Sequence, residues 1–234
     1  MITIKVADIP IGIDNRFRHI EWLAQDYLTE DEPHFTVSAT PEELVREQSF
    51  TEEKFSDGYL ESTVIYRKIA ERLGDYDAFV FHGAVLSVDG NAYAFTARSG
   101  VGKTTHTRLW LNKFGERAYY INGDKPIIRF IDGTPYAFGT PWRGKESYGT
   151  NSKAPLVGIA FVERGEENRA ECADADTYST MLLSQMYIPR TGAAAAKVLS
   201  MCARLIDSVK LVRLECNMNP DAPIAPARAF GLEI

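Results

Sequence analysis

The chain has 234 residues, 45% apolar and 25% charged, with a formal net charge of −6; that length fits one large domain, or one domain with a small attached lobe. The acidic balance argues against nucleic acid or an anionic membrane surface as the main partner, and the interrupted, strand-length apolar runs lead us to expect no membrane-spanning helix. An amino terminus without a signal-peptide core, and three cysteines (Cys172, Cys202, Cys216) without metal spacing, read as a cytoplasmic protein with reduced thiols serving as small buried hydrophobes.

Residues 1–75 read as an amino-terminal α+β lobe. Residues 2–6 alternate like a strand. Residues 17–28 suggest a helix with Ile20, Leu23, Ala24 and Leu28 on one stripe, 34–38 a strand, and 42–48 a short charged helix at best. The segment 59–73 is a stronger helix, with Leu60, Val64, Ile65, Ile69, Ala70 and Leu73 recurring at three and four and Gly74 as its cap. His19 and His34 have no acidic or cysteine partners nearby in sequence and are weaker candidates.

Residues 76–234 read as the core. Residues 78–81, 84–88 and 92–96 are three short strands, the last two joined by the turn Asp89-Gly90. His82-Gly83 closes the first of them. A lone histidine is more often structural than a ligand, but the glycine permits close approach.

The run Ala97-Arg98-Ser99-Gly100-Val101-Gly102-Lys103-Thr104, followed by Thr105, reads A-x-x-x-x-G-K-T, a phosphate-binding loop (P-loop) with alanine at the first glycine. Gly100 and Gly102 let the backbone curl close to phosphate oxygens. Successive N–H groups and a helix amino terminus then face the anion. Lys103 brings a positive charge to the β- and γ-phosphates, and the Thr104 hydroxyl is suited to Mg²⁺. A strand precedes the motif. Leu109, Trp110, Leu111 and Phe114 follow at helical spacing, with Gly115 as a stop, and this is the context the motif requires. Without that context the run would be a glycine-rich turn that happens to end in Lys-Thr. His106, on the helix, reads as packing or surface.

Beyond the helix come strands at 118–121, 126–130 and 136–138, the last two joined by the turn Asp132-Gly133-Thr134-Pro135. Asp124 ends the first of these about twenty residues after Lys103, where a carboxylate serves a metal-bound triphosphate; a turn-capping role is the alternative. The loop 139–152 is long enough to suggest function. Trp142, Arg143 and Lys145 would close over phosphates or receive the acceptor, or else form a buried anchor with solvated cations. A strand at 156–162, a charged turn at 163–168 holding Glu163, Glu166 and Glu167, helices at 177–186 and 193–207, and a strand at 209–214 complete the chain. Arg190 reads as a surface residue, and the proline-rich tail supports helix only at 227–230.

His-Gly, two strands, the loop Ser-Gly-Val-Gly-Lys-Thr-Thr and a strand leading to Asp124 together resemble HPr kinase/phosphorylase and phosphoenolpyruvate carboxykinase, which share a nucleotide-binding core. The loop Gly139-Thr140-Pro141-Trp142-Arg143-Gly144-Lys145 and the strand after it look like the short bacterial HPr-kinase-related branch. The resemblance covers roughly residues 78–219. It implies an α/β fold with a P-loop core, in which a mixed β-sheet is flanked by helices and preceded by the small amino-terminal lobe. It also implies that Gly100, Gly102 and Lys103 hold phosphates, that Thr104 and Asp124 hold Mg²⁺, and that His82 lies beside the γ-phosphate. In carboxykinases the matching His and Asp help bind a second divalent ion such as Mn²⁺. In HPr kinases the Asp is one of an adjacent pair whose other carboxylate is the general base. Here that position is Gly123, so His82 and Glu146 become the substitute candidates. Arg143, or Arg98 in the loop itself, would stabilise charge on the transferring oxygens.

The expected function is an ATP- and Mg²⁺-dependent kinase acting on a hydroxyl, either a serine of a protein or peptide or a small molecule. The rivals are a nucleotide-binding regulatory module without turnover and a carboxykinase-like lyase, for which no arginine cluster suited to a dicarboxylate is evident.

Overall fold

A computed structural model describes residues 1–97 and 100–234. Arg98 and Ser99, both expected in the phosphate-binding loop, lie outside the described residues. The chain opens on a hairpin: β1 (Ile2–Val6) runs antiparallel to β2 (Ile9–Asp14) with Val6 opposite Ile9. Ala7 and Asp8 form the turn at φ 52° and 57°, the left-handed pair that suits strand twist. β3 (Phe35–Ser38) then joins β2 in parallel.

The helix expected over 17–28 is shorter than its apolar stripe. Only α1 (His19–Leu23) is helical, followed by a 3₁₀ turn over Gln25–Tyr27. Glu61 is the cause at one end: fully buried, it accepts the backbone N–H groups of Arg16 (2.7 Å) and Phe17 (3.0 Å). At the other end Tyr27 turns inward, its hydroxyl donating to the Thr150 carbonyl.

α2 (Pro41–Gln48) is a complete helix because Thr40 and Glu43 form a reciprocal capping box with Pro41 in the first turn. α3 (Asp57–Arg72) starts on a Ser56 cap. It gives way to a 3₁₀ turn, Leu73–Tyr76, that closes at left-handed Asp77 rather than Gly74.

The second sheet has nine strands: β4 (Ala78–Val80), β5 (Ala84–Val88), β6 (Asn91–Thr96), β7 (Ala118–Asn122), β8 (Ile127–Ile131), β9 (Thr134–Phe138), β10 (Lys153–Arg164), β11 (Arg169–Cys172) and β12 (Lys210–Cys216). Their order is β4-β8-β9-β10-β6-β5-β7, with β12 on β10 and β11 on β12. The Asp89-Gly90 and Asp132-Gly133 turns both adopt left-handed pairs, as their sequences predict.

β10 organises this curled, mixed sheet. Its first residues, Lys153–Pro155, run antiparallel to β9, and from Gly158 onward it lies parallel to both β6 and β12. Alternate side chains point to opposite faces. Ala160 and Val162 join Phe95, Trp110 and Phe114 beneath α4 (Lys103–Phe114) and α7 (Ile224–Phe230). Ile159 and Phe161 join Leu182, Val198 and Leu205 beneath α5 (Ala175–Ser184) and α6 (Gly192–Ser208). A third cluster runs from β1–β3 and α3 to Ile127, Phe138 and Trp142. The fold is therefore mixed α/β with helices on both faces of the large sheet, and among the described residues no helix is long and apolar enough to cross a membrane.

Candidate active site

The loop after β6 enters α4 through two glycines in left-handed backbone, Gly100 at φ 79° and Gly102 at φ 115°. A Cβ at either would meet nothing within 4 Å, so backbone direction rather than space calls for glycine there. Ala97 is buried and has no positive φ, which explains why alanine serves at the first position. Lys103 opens α4. Burial pushes its pKa down, opposed by the negative charge of Asp124 and reinforced by Lys125. The first turn of α4, which holds Thr104 and Thr105, is pinned by Thr107. That hydroxyl lies 3.1 Å from the Lys103 and Thr104 carbonyls and 2.7 Å from the Tyr120 hydroxyl.

Arg164, at the carboxyl end of β10, reaches across to the loop. Its Nε donates to the Val101 carbonyl at 2.9 Å and its Nη2 to the Gly100 carbonyl at 2.5 Å. The sequence reading assigned Arg164 no role. Its signal was a cation ending a buried strand that lies parallel to the strand before the loop.

Asp124 is presented by a polar turn. Asn122, fully buried at the end of β7, accepts the N–H groups of Asp124 (2.9 Å) and Lys125 (2.7 Å) through Oδ1 and donates to Thr140 Oγ1 (3.0 Å). Thr140 in turn donates to the Lys125 carbonyl. Asn122 is the second organiser that sequence reasoning missed, although an asparagine ending an apolar strand was its mark. His82 Nε2 stands 3.4 Å from Asp124 Oδ1, and Lys125 Nζ 3.1 Å from Oδ2. His82 and then Lys125 hold the Asp124 carboxyl well below the usual carboxylate range, against the opposing effect of burial. The carboxylate is thus ionised, and it lines the same cleft as Lys103.

Among the described residues, no group of three or more His, Cys, Asp or Glu could hold a metal ion by itself. Thr104 and Asp124 offer oxygen donors, the kind Mg²⁺ takes alongside phosphate and water, whereas His82 offers a nitrogen, which that ion does not favour.

Gly123 fills the position where a second carboxylate was sought. A Cβ there would lie 3.1 Å from both Cβ and the carbonyl oxygen of Tyr148. The space is occupied by the following loop, whose Tyr148 ring stacks on Tyr120 at 4.7 Å. That loop is anchored on the amino-terminal region: Trp142 Nε1 donates to the Ser62 carbonyl at 3.1 Å, and Arg143 Nη2 donates to Asp26 Oδ2 at 2.8 Å beside the Tyr27 ring. Trp142 is thus a buried anchor, and Arg143 lines the cleft while committed to Asp26. Lys145 and Glu146 line the same cleft with exposed side chains.

The cleft measures about 1050 Å³. Among the described residues its walls carry six cations (Arg67, Lys103, Lys125, Arg143, Lys145, Arg164) against the two acids Asp124 and Glu146. A chain of net charge −6 therefore concentrates positive charge around one cavity, the arrangement an anionic ligand needs. The far wall belongs to α1 and α3 and includes His19, a weaker candidate by sequence.

Other candidates lie elsewhere or serve the fold. His106 is buried, accepts the Trp110 indole N–H at 2.9 Å, and has its pKa pushed down to about 4 by burial. His34 stacks on Tyr76. Glu163 belongs to β10, not to a turn, and pairs with Arg213; Arg190 lies outside the cleft. The cysteines are free; Cys202 and Cys216 are buried, but Cys172 is exposed because it sits on β11 at the sheet edge, a strand the sequence reading missed.

No family model and no curated protein matches the chain. Among solved structures, the HPr(Ser) kinase/phosphatase from Coxiella burnetii is similar at TM-score 0.31 and 11% identity, over 54% of this chain and 96% of that chain. A likeness that distant carries no functional weight.

Proposed function

We propose that the cleft binds a nucleoside triphosphate with Mg²⁺ and that the protein transfers the γ-phosphoryl group to a hydroxyl acceptor. The observation that carries this is the pair of left-handed glycines at the amino end of α4, followed by a half-buried Lys103 that lines the same cleft as Asp124. Loop N–H groups, Lys103 and the helix terminus receive the phosphates. Thr104 and Asp124 would hold Mg²⁺, which would supply charge neutralisation for the phosphates. In the transfer, the bond from the γ-phosphorus to its bridging oxygen breaks and a bond from phosphorus to the acceptor oxygen forms. The acceptor's proton passes to His82, half exposed beside Asp124. Positioning and charge neutralisation supply most of the acceleration.

The crowded space around Gly123 favours a second reading, nucleotide binding without turnover, because a side chain there would meet Tyr148 at 3.1 Å, tighter than an ordinary contact. Incubation with γ-labelled ATP and Mg²⁺ separates the two. Label appearing on a hydroxyl acceptor or as phosphate supports the transferase. Tight binding with no release or transfer of label supports the module.

A further inference from the structure

The far wall of the cleft holds one polar group without a role. Tyr66, on α3, is 8% exposed, and among the described residues its hydroxyl has no hydrogen-bond partner. Four other tyrosine hydroxyls are paired: Tyr27 with the Thr150 carbonyl, Tyr120 with Thr107, Tyr178 with Glu163, Tyr187 with Glu71. A buried hydroxyl is costly to leave unpaired, and an orphan lining a cavity marks where a ligand atom belongs.

The surroundings say which atom. The Tyr66 ring lies 4.8 Å from the Trp142 ring and 5.9 Å from Lys125 Nζ, so packing fixes its direction. Burial and the Asp124 charge push the phenol pKa well above its ordinary value, leaving an O–H donor at neutral pH. Lys103 and Asp124 line the same cleft as Tyr66. A group lodged between Lys103 and Tyr66, next to Asp124, is anionic and needs neutral donors as well as cations.

We propose that the Tyr66 hydroxyl donates a hydrogen bond to an oxygen of the terminal phosphoryl group of the bound triphosphate. α3 of the amino-terminal region then completes the triphosphate site and distinguishes triphosphate from diphosphate. This rests on the phosphate-binding reading above.

Calorimetric titration of wild type and Tyr66→Phe with MgATP and with MgADP tests it. MgATP binding weakens roughly tenfold in the variant while MgADP binding stays within about twofold. Tyr178→Phe, which removes a phenol hydroxyl outside the cleft, leaves the MgATP-to-MgADP ratio unchanged. Equal weakening of both nucleotides by Tyr66→Phe, no weakening, or an equal change in ratio from Tyr178→Phe overturns the proposal. Should Tyr66→Phe not fold, 3-fluorotyrosine at position 66 gives an independent measurement: its ¹⁹F resonance shifts with MgATP and not with MgADP, and the absence of that difference overturns the proposal. Wild type that binds neither nucleotide overturns the phosphate-binding reading itself, whereas wild type that binds both with an unresponsive Tyr66 overturns this inference alone.

Discussion

Gly123 and Tyr148 are locked together. The Gly123 N–H donates to the Tyr148 carbonyl at 2.8 Å, and any side chain at 123 would press on Tyr148. The glycine is a packing requirement of the loop after β9. Gly123→Asp therefore destabilises the fold, by about 1–3 kcal/mol from overpacking, seen as a lowered midpoint in thermal or urea unfolding. Release of labelled phosphate does not increase. A stable Gly123→Asp variant with faster phosphate release would show that the position is only an absent base.

Arg164 holds the phosphate-binding loop from outside by two carbonyls. It is exposed and at a strand end, so Arg164→Ala leaves unfolding within about 0.5 kcal/mol of wild type while MgATP affinity drops about tenfold. Arg164→Lys recovers only part of the loss, because an ammonium lacks the planar fork that spans two acceptors. Unchanged affinity in Arg164→Ala would reduce the clamp to a surface contact.

Asp124 keeps its charge down to low pH because His82 and Lys125 favour the carboxylate. Its carboxyl is depressed relative to the unfolded chain, so its contribution to stability is present above the ordinary carboxylate pKa and fades only as pH falls below that range. Asp124 therefore introduces no pH dependence into MgATP binding between pH 5 and 8. Asp124→Asn removes the difference between ATP binding with and without Mg²⁺, which titrations in Mg²⁺ and in chelator measure directly. A Mg²⁺ dependence that survives the substitution would place the ion elsewhere.

His106 introduces a pH dependence of a different kind. Buried and pushed down to about 4, it stays neutral in the folded chain while the unfolded chain takes up a proton near 6.5. Its contribution is complete above pH 6.5 and lost as pH falls toward 4, on the order of 3 kcal/mol across that window. His106→Gln, which keeps an acceptor for the Trp110 indole, flattens the stability profile between pH 6.5 and 4. An equally steep profile in the variant would assign the slope to other groups.

The sequence displayed those elements whose local chemistry agrees with their environment. The Asp89-Gly90 and Asp132-Gly133 turns and the stripe from Leu60 to Ile69 are of this kind. β2 was invisible because its turn, Ala7-Asp8, contains no glycine and Pro10 and Gly12 break the strand pattern, while β1 and the helices supply the order from outside. The shortened α1 reflects Glu61, more than forty residues away, taking the N–H groups a longer helix would have used. In the site, Gly100, Gly102, Lys103 and Asp124 were legible because they are close in sequence or end a strand. Arg164, Tyr66 and Asn122 act through contacts that only the folded sheet and α3 create.

The most direct measurement of the central claim is calorimetric titration of wild type and Lys103→Ala with MgATP. The account predicts one site in the wild type with a Kd between about 1 µM and 1 mM, weakened at least about tenfold by Lys103→Ala with the fold intact. No binding to folded wild type, or equal binding by Lys103→Ala, would contradict it.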